Sequence, residues 1–328
     1  IKSLPANHGD CFIFHDLEDD YILIVDCGLK ITYSNYIRKH VSRADAVILT
    51  HIDEDHILGA IPMIEDSQYK IELGEFYFNS PKLFEYKSPR GKISVNQAFR
   101  VDKLLEEKGI KLFGLEQGQT INLNRNLRLQ IISPRSEDLN DLDSKKFEPA
   151  RESIPISITN EIEEVAKLAN ETDEFLAISQ DLVNACSIAF ILHYDERRLL
   201  YLADAHPEVV ADHLESIGYS DSNKLTCDVV KLSHHGSCKN ISDRLISLIA
   251  CNTYWISTNG GKGRAKHPSL KTLAKLSANV NRNNNDEIVF LFNYPIKNIE
   301  SKNGILMSES DRDNFKVKLA EKSELLWL

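Results

Sequence analysis

"LTHIDEDHILGA", residues 49–60, follows an apolar run and packs His51, Asp53, Asp55 and His56 into six positions just ahead of Gly59. Carboxylates this close repel one another unless a cation lies among them. A strand fixes the backbone and the loop after it converges the side chains, which is how a His/Asp metal centre is carried on a rigid frame. The stretch points to a metal-binding loop at a strand end. Taken alone, it also fits an acidic, solvated loop with two incidental histidines.

The flanking sequence supplies the strands. "CFIFHD", "YILIVDCG" and "DAVILT" read as consecutive β-branched runs, each ending in a polar cluster, with a short helical stretch before the last. "HILGAIPMIED" has helical spacing, and "VNQAFRVDKLLEEKGI" predicts an amphipathic helix closed by Gly109. "RLQIISP" is a further strand, and "CSIAFILHYDERRLLYLAD" predicts a hairpin turning at "DERR". "DVVKLSHHGS", "TYWISTNGG" and "EIVFLFNYP" are again strands followed by loops.

The 328 residues are read as a single domain, 1–328, and 42% hydrophobic content is that of a globular protein. Residues 134–183 are charged and partly helical, the pattern of an insertion or surface lobe. The tail, 308–328, mixes charges and ends in "ELLWL": a docking segment, or a helix packed on its own domain. Either the lobe or the tail offers a place for a protein partner. A net charge of −10 argues against a protein that grips nucleic acid by bulk positive charge, without excluding a local basic groove. No run is long enough to span a bilayer. The six cysteines, at 11, 27, 186, 227, 238 and 251, form no CxxC pair or dense framework, and no secretory signal is visible, so a cytoplasmic setting is expected. The chain begins with Ile, not Met, which leaves an upstream segment open.

Other strand ends weigh on the metal question. "LLYLADAHPE" puts Asp204 after an apolar strand, "VVKLSHHGS" puts His234 and His235 after another, and "GGKGRAKHPSLKTL" puts His267 in a Gly-rich loop before a helix. Each alone is ordinary, since an Asp at a strand end is usually a turn residue. Four such clusters of ligand-type residues are hard to attribute to chance.

The order "THIDEDH", "LADA", "SHHGS" and "KHP", with "VDCG" upstream, resembles the metallo-β-lactamase superfamily and, within it, the competence-protein (ComEC-type) branch, whose first motif reads HxDxDH. The resemblance implies an α/β fold, an αββα sandwich with a two-metal site on its rim. It implies that His51 and Asp53 bind one ion with a histidine of "HHGS", for which His235 is chosen, that Asp55, His56 and His267 bind the other, and that Asp204 bridges them. Asp55 and His234 are the expected catalytic residues, with His234 facing substrate because successive side chains on an extended backbone alternate. Asp26 is expected to steady the metal loop. Asn184 and Ser187 of "LVNACSIAF" stand where the wider superfamily has a histidine, as the ComEC-type pattern does.

Two divalent ions, Zn²⁺ or Mn²⁺, would activate a water and neutralise phosphoryl charge. The expected function is a binuclear metal-dependent phosphodiesterase, a nuclease with nucleic acid as substrate and no membrane association. Lys262, Arg264 and Lys266 beside His267 are candidate phosphate contacts, with Asn184 and Ser187 as further substrate contacts. The alternatives are a hydrolase of a small ester or phosphodiester and a non-catalytic assembly subunit.

Overall fold

The computed structural model describes residues 1–83, 93–144, 163–261, 263, 265–278 and 286–327. Side chains alternate along a strand, and here both faces are apolar. In β2 (Phe12–Asp16) Phe12 and Phe14 oppose Ile13, in β3 (Tyr21–Val25) Leu23 and Val25 oppose Ile24, and in β4 (Arg43–Leu49) Ala46 and Ile48 oppose Val47 and Leu49. Such a sheet has to be covered on both sides. With β1 (Lys2–Ser3), β5 (Glu72–Phe78) and β6 (Leu112–Phe113) they form a six-stranded sheet in sequence order, parallel from β3 onward.

The second sheet follows the same rule. Its strands are β7 (Thr120–Asn122), β8 (Leu127–Ser133), β9 (Ala189–Tyr194), β10 (Arg197–Tyr201), β12 (Val229–Lys231), β14 (Thr253–Ile256), β15 (Ile288–Phe292) and β16 (Val317–Glu321), while β11 (Leu225–Thr226) and β13 (Ile249–Ala250) pair separately. The order is β16-β15-β14-β12-β10-β9-β8-β7. β9 and β10 form the expected hairpin, with Asp195 of "DERR" at φ +50°. β5 and β16 were not anticipated.

The two sheets meet over an aromatic core. Phe12 from the first sheet sets its ring edge-on to Tyr201 and Trp255 of the second, both at 5.4 Å between centroids, and Phe190 stacks on Tyr201 at 5.1 Å. The helix Ile93–Lys108, which ends at Gly109 with φ +65°, buries Val95, Ala98, Val101 and Leu105 against the outer face of the first sheet. Leu273 and Val210, from helices Leu270–Ser277 and Pro207–Ser216, do the same for the second. The result is the four-layer mixed α/β sandwich expected from the sequence.

Within the charged segment 134–183, Leu139 and Leu142 join the first outer core while Val165 and Leu168 join the second; residues 145–162 lie outside the described residues. The tail contributes helix Glu309–Phe315 and β16, which pairs parallel with β15, and Leu325 and Trp327 pack on the inter-sheet core. Its apolar end therefore lies on its own domain, partly as a strand.

Replacing Trp255, which is fully buried between the sheets, by Ala should destabilise the protein by about 3–5 kcal/mol through the cavity it leaves. Urea unfolding measures this, and a loss below about 1 kcal/mol would show that the sheets close over the gap.

Candidate metal centre

Loops at the strand ends of both sheets converge on one rim. Asp26 follows β3, His51 follows β4, Asp204 lies just beyond β10 and His234 and His235 follow β12. Four non-glycine residues in these loops sit in the left-handed region: Asp26 (φ +58°), Ala203 (+46°), His234 (+44°) and His235 (+56°). Each such residue costs of order 1–3 kcal/mol and persists only where its surroundings over-determine it. Those surroundings are visible. His234 N donates to Ala203 O at 2.9 Å, Ser233 Oγ to Ala205 O at 2.8 Å and Asn240 Nδ2 to Asp204 O at 3.1 Å, so the "HHGS" turn is tied to the Asp204 loop. On the other side a Cβ added to Gly9 would fall 1.9 Å from Asp55 O, so the loop before β2 presses directly on the "DEDH" loop.

This corrects the expectation that "HHGS" is extended. Ser233–Gly236 forms a tight turn with both histidines left-handed, and face alternation does not apply there. Both rings reach the site. The His234 side chain is 32% exposed and that of His235 only 3%.

Hydrogen bonds fix the tautomers of three rings. His56 Nδ1 lies 2.8 Å from Asp26 Oδ2 and His235 Nδ1 lies 2.8 Å from Ser257 O, partners that only accept, so each Nδ1 carries the proton. Thr50 Oγ1 donates to Asp26 Oδ2 at 2.8 Å and so accepts from His51 Nδ1 at 3.1 Å. In the neutral form of all three, Nε2 is the nitrogen that keeps its lone pair, the form in which imidazole binds metals. Nε2 of His51, His56 and His235 and Oδ1 of Asp204 are buried and have no hydrogen-bond partner among the described residues. Groups of this kind are costly to bury unsatisfied. A cation among them would remove that cost, so the donors fit a divalent metal.

The spacing agrees. His51 Nε2 stands 3.6 Å from Asp53 Oδ2 and 4.0 Å from Asp204 Oδ2, His56 Nε2 is 3.5 Å and His234 Nε2 3.8 Å from Asp204 Oδ2, and His235 Nε2 is 3.9 Å from Asp55 Oδ2. Ligand atoms about 2.1 Å from a tetrahedral ion lie roughly 3.4 Å apart. Three overlapping groups emerge, His51–His56–Asp204, Asp55–His56–His235 and, behind them, Asp10–Asp26–His56, all containing His56. The grouping differs from the pairing implied by the resemblance: His235 stands with Asp55 and His56, while His234 approaches Asp204. His267 faces both histidines, with ring centroids 5.4 Å from His234 and 6.1 Å from His235, and its buried Nδ1 has no hydrogen-bond partner among the described residues.

Electrostatics follow from the crowding. Burial pushes the Asp204 carboxyl up, but His56, His234 and His235 around it hold it well below the ordinary value. Burial works against a charge on His56, yet Asp204 and Asp26 raise it well above the usual imidazole range. Burial, with His234 and His235 beside it, lowers His267 far below that range, which keeps it neutral.

Asn184 Nδ2 donates to Asp181 Oδ1 at 2.8 Å and lies 3.4 Å from His234 Nδ1, while Ser187 is buried nearby in the chain. Lys266 is half-buried next to His267; Lys262 and Arg264 lie outside the described residues. Asp10, Lys231, Asp181 and Asn240 were missed. Lys231 had a signal, a charge inside the apolar strand "VVKL", because lysine is almost never fully buried unless paired.

Residues 5–123 match the family model described as the Metallo-beta-lactamase superfamily, a segment that carries Asp26, His51, Asp53, Asp55 and His56. The match covers about a third of the chain, and the four-layer sandwich is consistent with that family. No curated protein matches. Among solved structures, the chain is similar to the metallo-beta-lactamase fold protein YhfI from Bacillus subtilis (12% identity, TM-score 0.42, covering 100% of this chain and 98% of that one). It is also similar to Zn(2+)-bound PqqB from Methylobacterium extorquens (14%, 0.43, 97% and 87%) and to a diphosphatase from the PhnP family (10%, 0.40, 97% and 84%).

A metal bound at His56 Nε2 has to displace the proton that Asp204 and Asp26 favour on that ring. Metal affinity should therefore rise with pH, by up to about tenfold per unit, until metal-free His56 titrates, and fall as the pH drops. Calorimetric titration with Mn²⁺ in buffers of different ionisation enthalpy reads the released proton. An affinity independent of pH would place His56 outside the coordination shell.

Proposed function

We propose that the protein is a binuclear metal-dependent phosphodiesterase whose substrate is a nucleic acid, DNA or RNA. The observation that carries the metal part is the set of tautomer-fixed imidazoles whose buried Nε2 atoms converge on Asp204 and Asp55 without hydrogen-bond partners. Two divalent ions held there, Zn²⁺ or Mn²⁺, would supply an activated hydroxide near neutral pH and neutralise charge on a phosphoryl oxygen. Asp204 presents Oδ2 to His51, His56 and His234, contacts that support the bridging role the motif resemblance implies for it. His234, the most exposed of these rings, is placed to meet substrate and carry a proton, and its Nδ1 is held by Asn240 Oδ1 at 3.1 Å.

The nucleic-acid part rests on the ComEC-type motif order and on Lys262, Arg264 and Lys266 beside His267. Among the described residues no helix is long and apolar enough to cross a membrane. The acidic net charge favours a small ester or phosphodiester as the second reading. Labelled DNA, RNA and a small chromogenic phosphodiester, incubated in parallel with Mn²⁺ and Zn²⁺, separate the two: turnover of the small substrate alone rejects the nuclease.

Two metal ions per chain are expected by elemental analysis after loading, and retention of only a trace would sink the metal reading. Asp204→Asn removes a charge at constant volume and should lower kcat by at least about 100-fold with an unchanged circular dichroism spectrum. Loss of folding in that variant would make Asp204 a structural residue instead.

A further inference from the structure

Lys231 ends β12, and its side chain has no exposed surface. The ammonium pairs closely with Asp10, donates to Ala203 O at 3.0 Å, lies 4.0 Å from Asp204 Oδ1 and stands 5.4 Å from the centroid of the Tyr201 ring. Asp10 is equally buried, and its Oδ1 lies 3.5 Å from His235 Nδ1. The pair thus reaches the His51–His56–Asp204 and Asp55–His56–His235 groups from behind. Lys231 faces the Oδ1 side of Asp204, whose Oδ2 is turned to the histidines. Asp10 faces the Nδ1 side of His235, whose Nε2 is turned to Asp55.

Core packing alone does not explain a charged pair here, since apolar side chains of similar volume are usually as stable as a buried ion pair. Charge explains it. The carboxylates within 4.0 Å of Lys231 or of the converging imidazoles, those of Asp10, Asp26, Asp53, Asp55 and Asp204, bring five negative charges, Lys231 brings one positive, and metal-ligating imidazoles are neutral; Asp181 stands beyond that distance. The deficit is four positive charges, the charge of two divalent cations. Without Lys231 the centre would hold one negative charge too many for them, and without Asp10 one too few.

We propose that Lys231 and Asp10 are positioning residues that set the charge of the metal centre, Lys231 acting through Asp204 and Asp10 through His235. The inference rests on the metal reading of the site and not on the identity of the substrate. Its readout is equilibrium affinity for Mn²⁺, measured on the full chain by chelator competition, with circular dichroism of each variant before metal is added.

Wild-type protein is titrated first; failure to bind Mn²⁺ there removes the metal reading itself, whereas the variants judge only the role of the pair. Asp10→Asn should weaken Mn²⁺ binding by at least about tenfold, and Lys231→Met should tighten it by a similar factor, because each changes by one unit a charge held a few ångströms from the ions. The double variant, which removes no net charge, should return to within about threefold of wild type. If Lys231→Met does not fold because Asp10 is left buried and alone, the other two decide: the double variant removes more of the structure than Asp10→Asn does, so a merely structural role could not restore the affinity. Unchanged affinity in Asp10→Asn, or a double variant at least as weak as Asp10→Asn, overturns the proposal.

Discussion

Asp26 accepts hydrogen bonds from Thr50 N at 2.8 Å, Thr50 Oγ1 at 2.8 Å and His56 Nδ1 at 2.8 Å, and the rest of the site is arranged around that carboxylate. It stands at the end of β3, and its partners belong to the loop after β4, so it joins two neighbouring strand ends. Through Thr50 it also orients His51, because the hydroxyl proton spent on Asp26 leaves the oxygen free to accept from His51 Nδ1. One buried carboxylate thereby sets the tautomers of two rings and turns both Nε2 atoms outward to the rim. Its left-handed backbone shows what that position demands.

The sandwich makes such crowding tolerable. Phe12, Tyr201 and Trp255 lock the sheets face to face, which holds the loop ends of β3 and β4 opposite those of β10 and β12. Crossing hydrogen bonds reinforce the seam, as where Ile188 N donates to Thr50 O at 2.8 Å. Like charges that would drive flexible loops apart are thus kept on two stiff frames, an arrangement that would favour a cation among them. Lys231 belongs to the same balance: a positive charge is tolerated inside a buried strand because Asp10, Asp204 and the Tyr201 ring surround it.

Much of this was legible in the residues. The apolar runs before "THIDEDH", "LADA" and "SHHGS" mark strands by their composition, and short polar residues after a strand are exposed to one another whatever the rest of the chain does. The hairpin at "DERR" and the helix ended by Gly109 follow from equally local rules. β16 was hidden because "KVKLAE" mixes charge with only brief alternation, and becomes a strand by pairing with β15.

The sequence by itself determined the apolar strands and the His and Asp residues at their ends, because strand periodicity and residue chemistry act over a few residues, while the four-layer class was what the order of the motifs implied by resemblance. Only the tertiary structure decided which groups meet. The turn at His234 and His235 depends on hydrogen bonds to Ala203 and Ala205, some thirty positions earlier in the chain, and it brings both rings to the site where an extended strand would have parted them. The pairing of Asp10 with Lys231 spans the two sheets. Contacts between residues so far apart leave no periodicity to read, because they arise from how the sheets pack and not from any local preference of the chain.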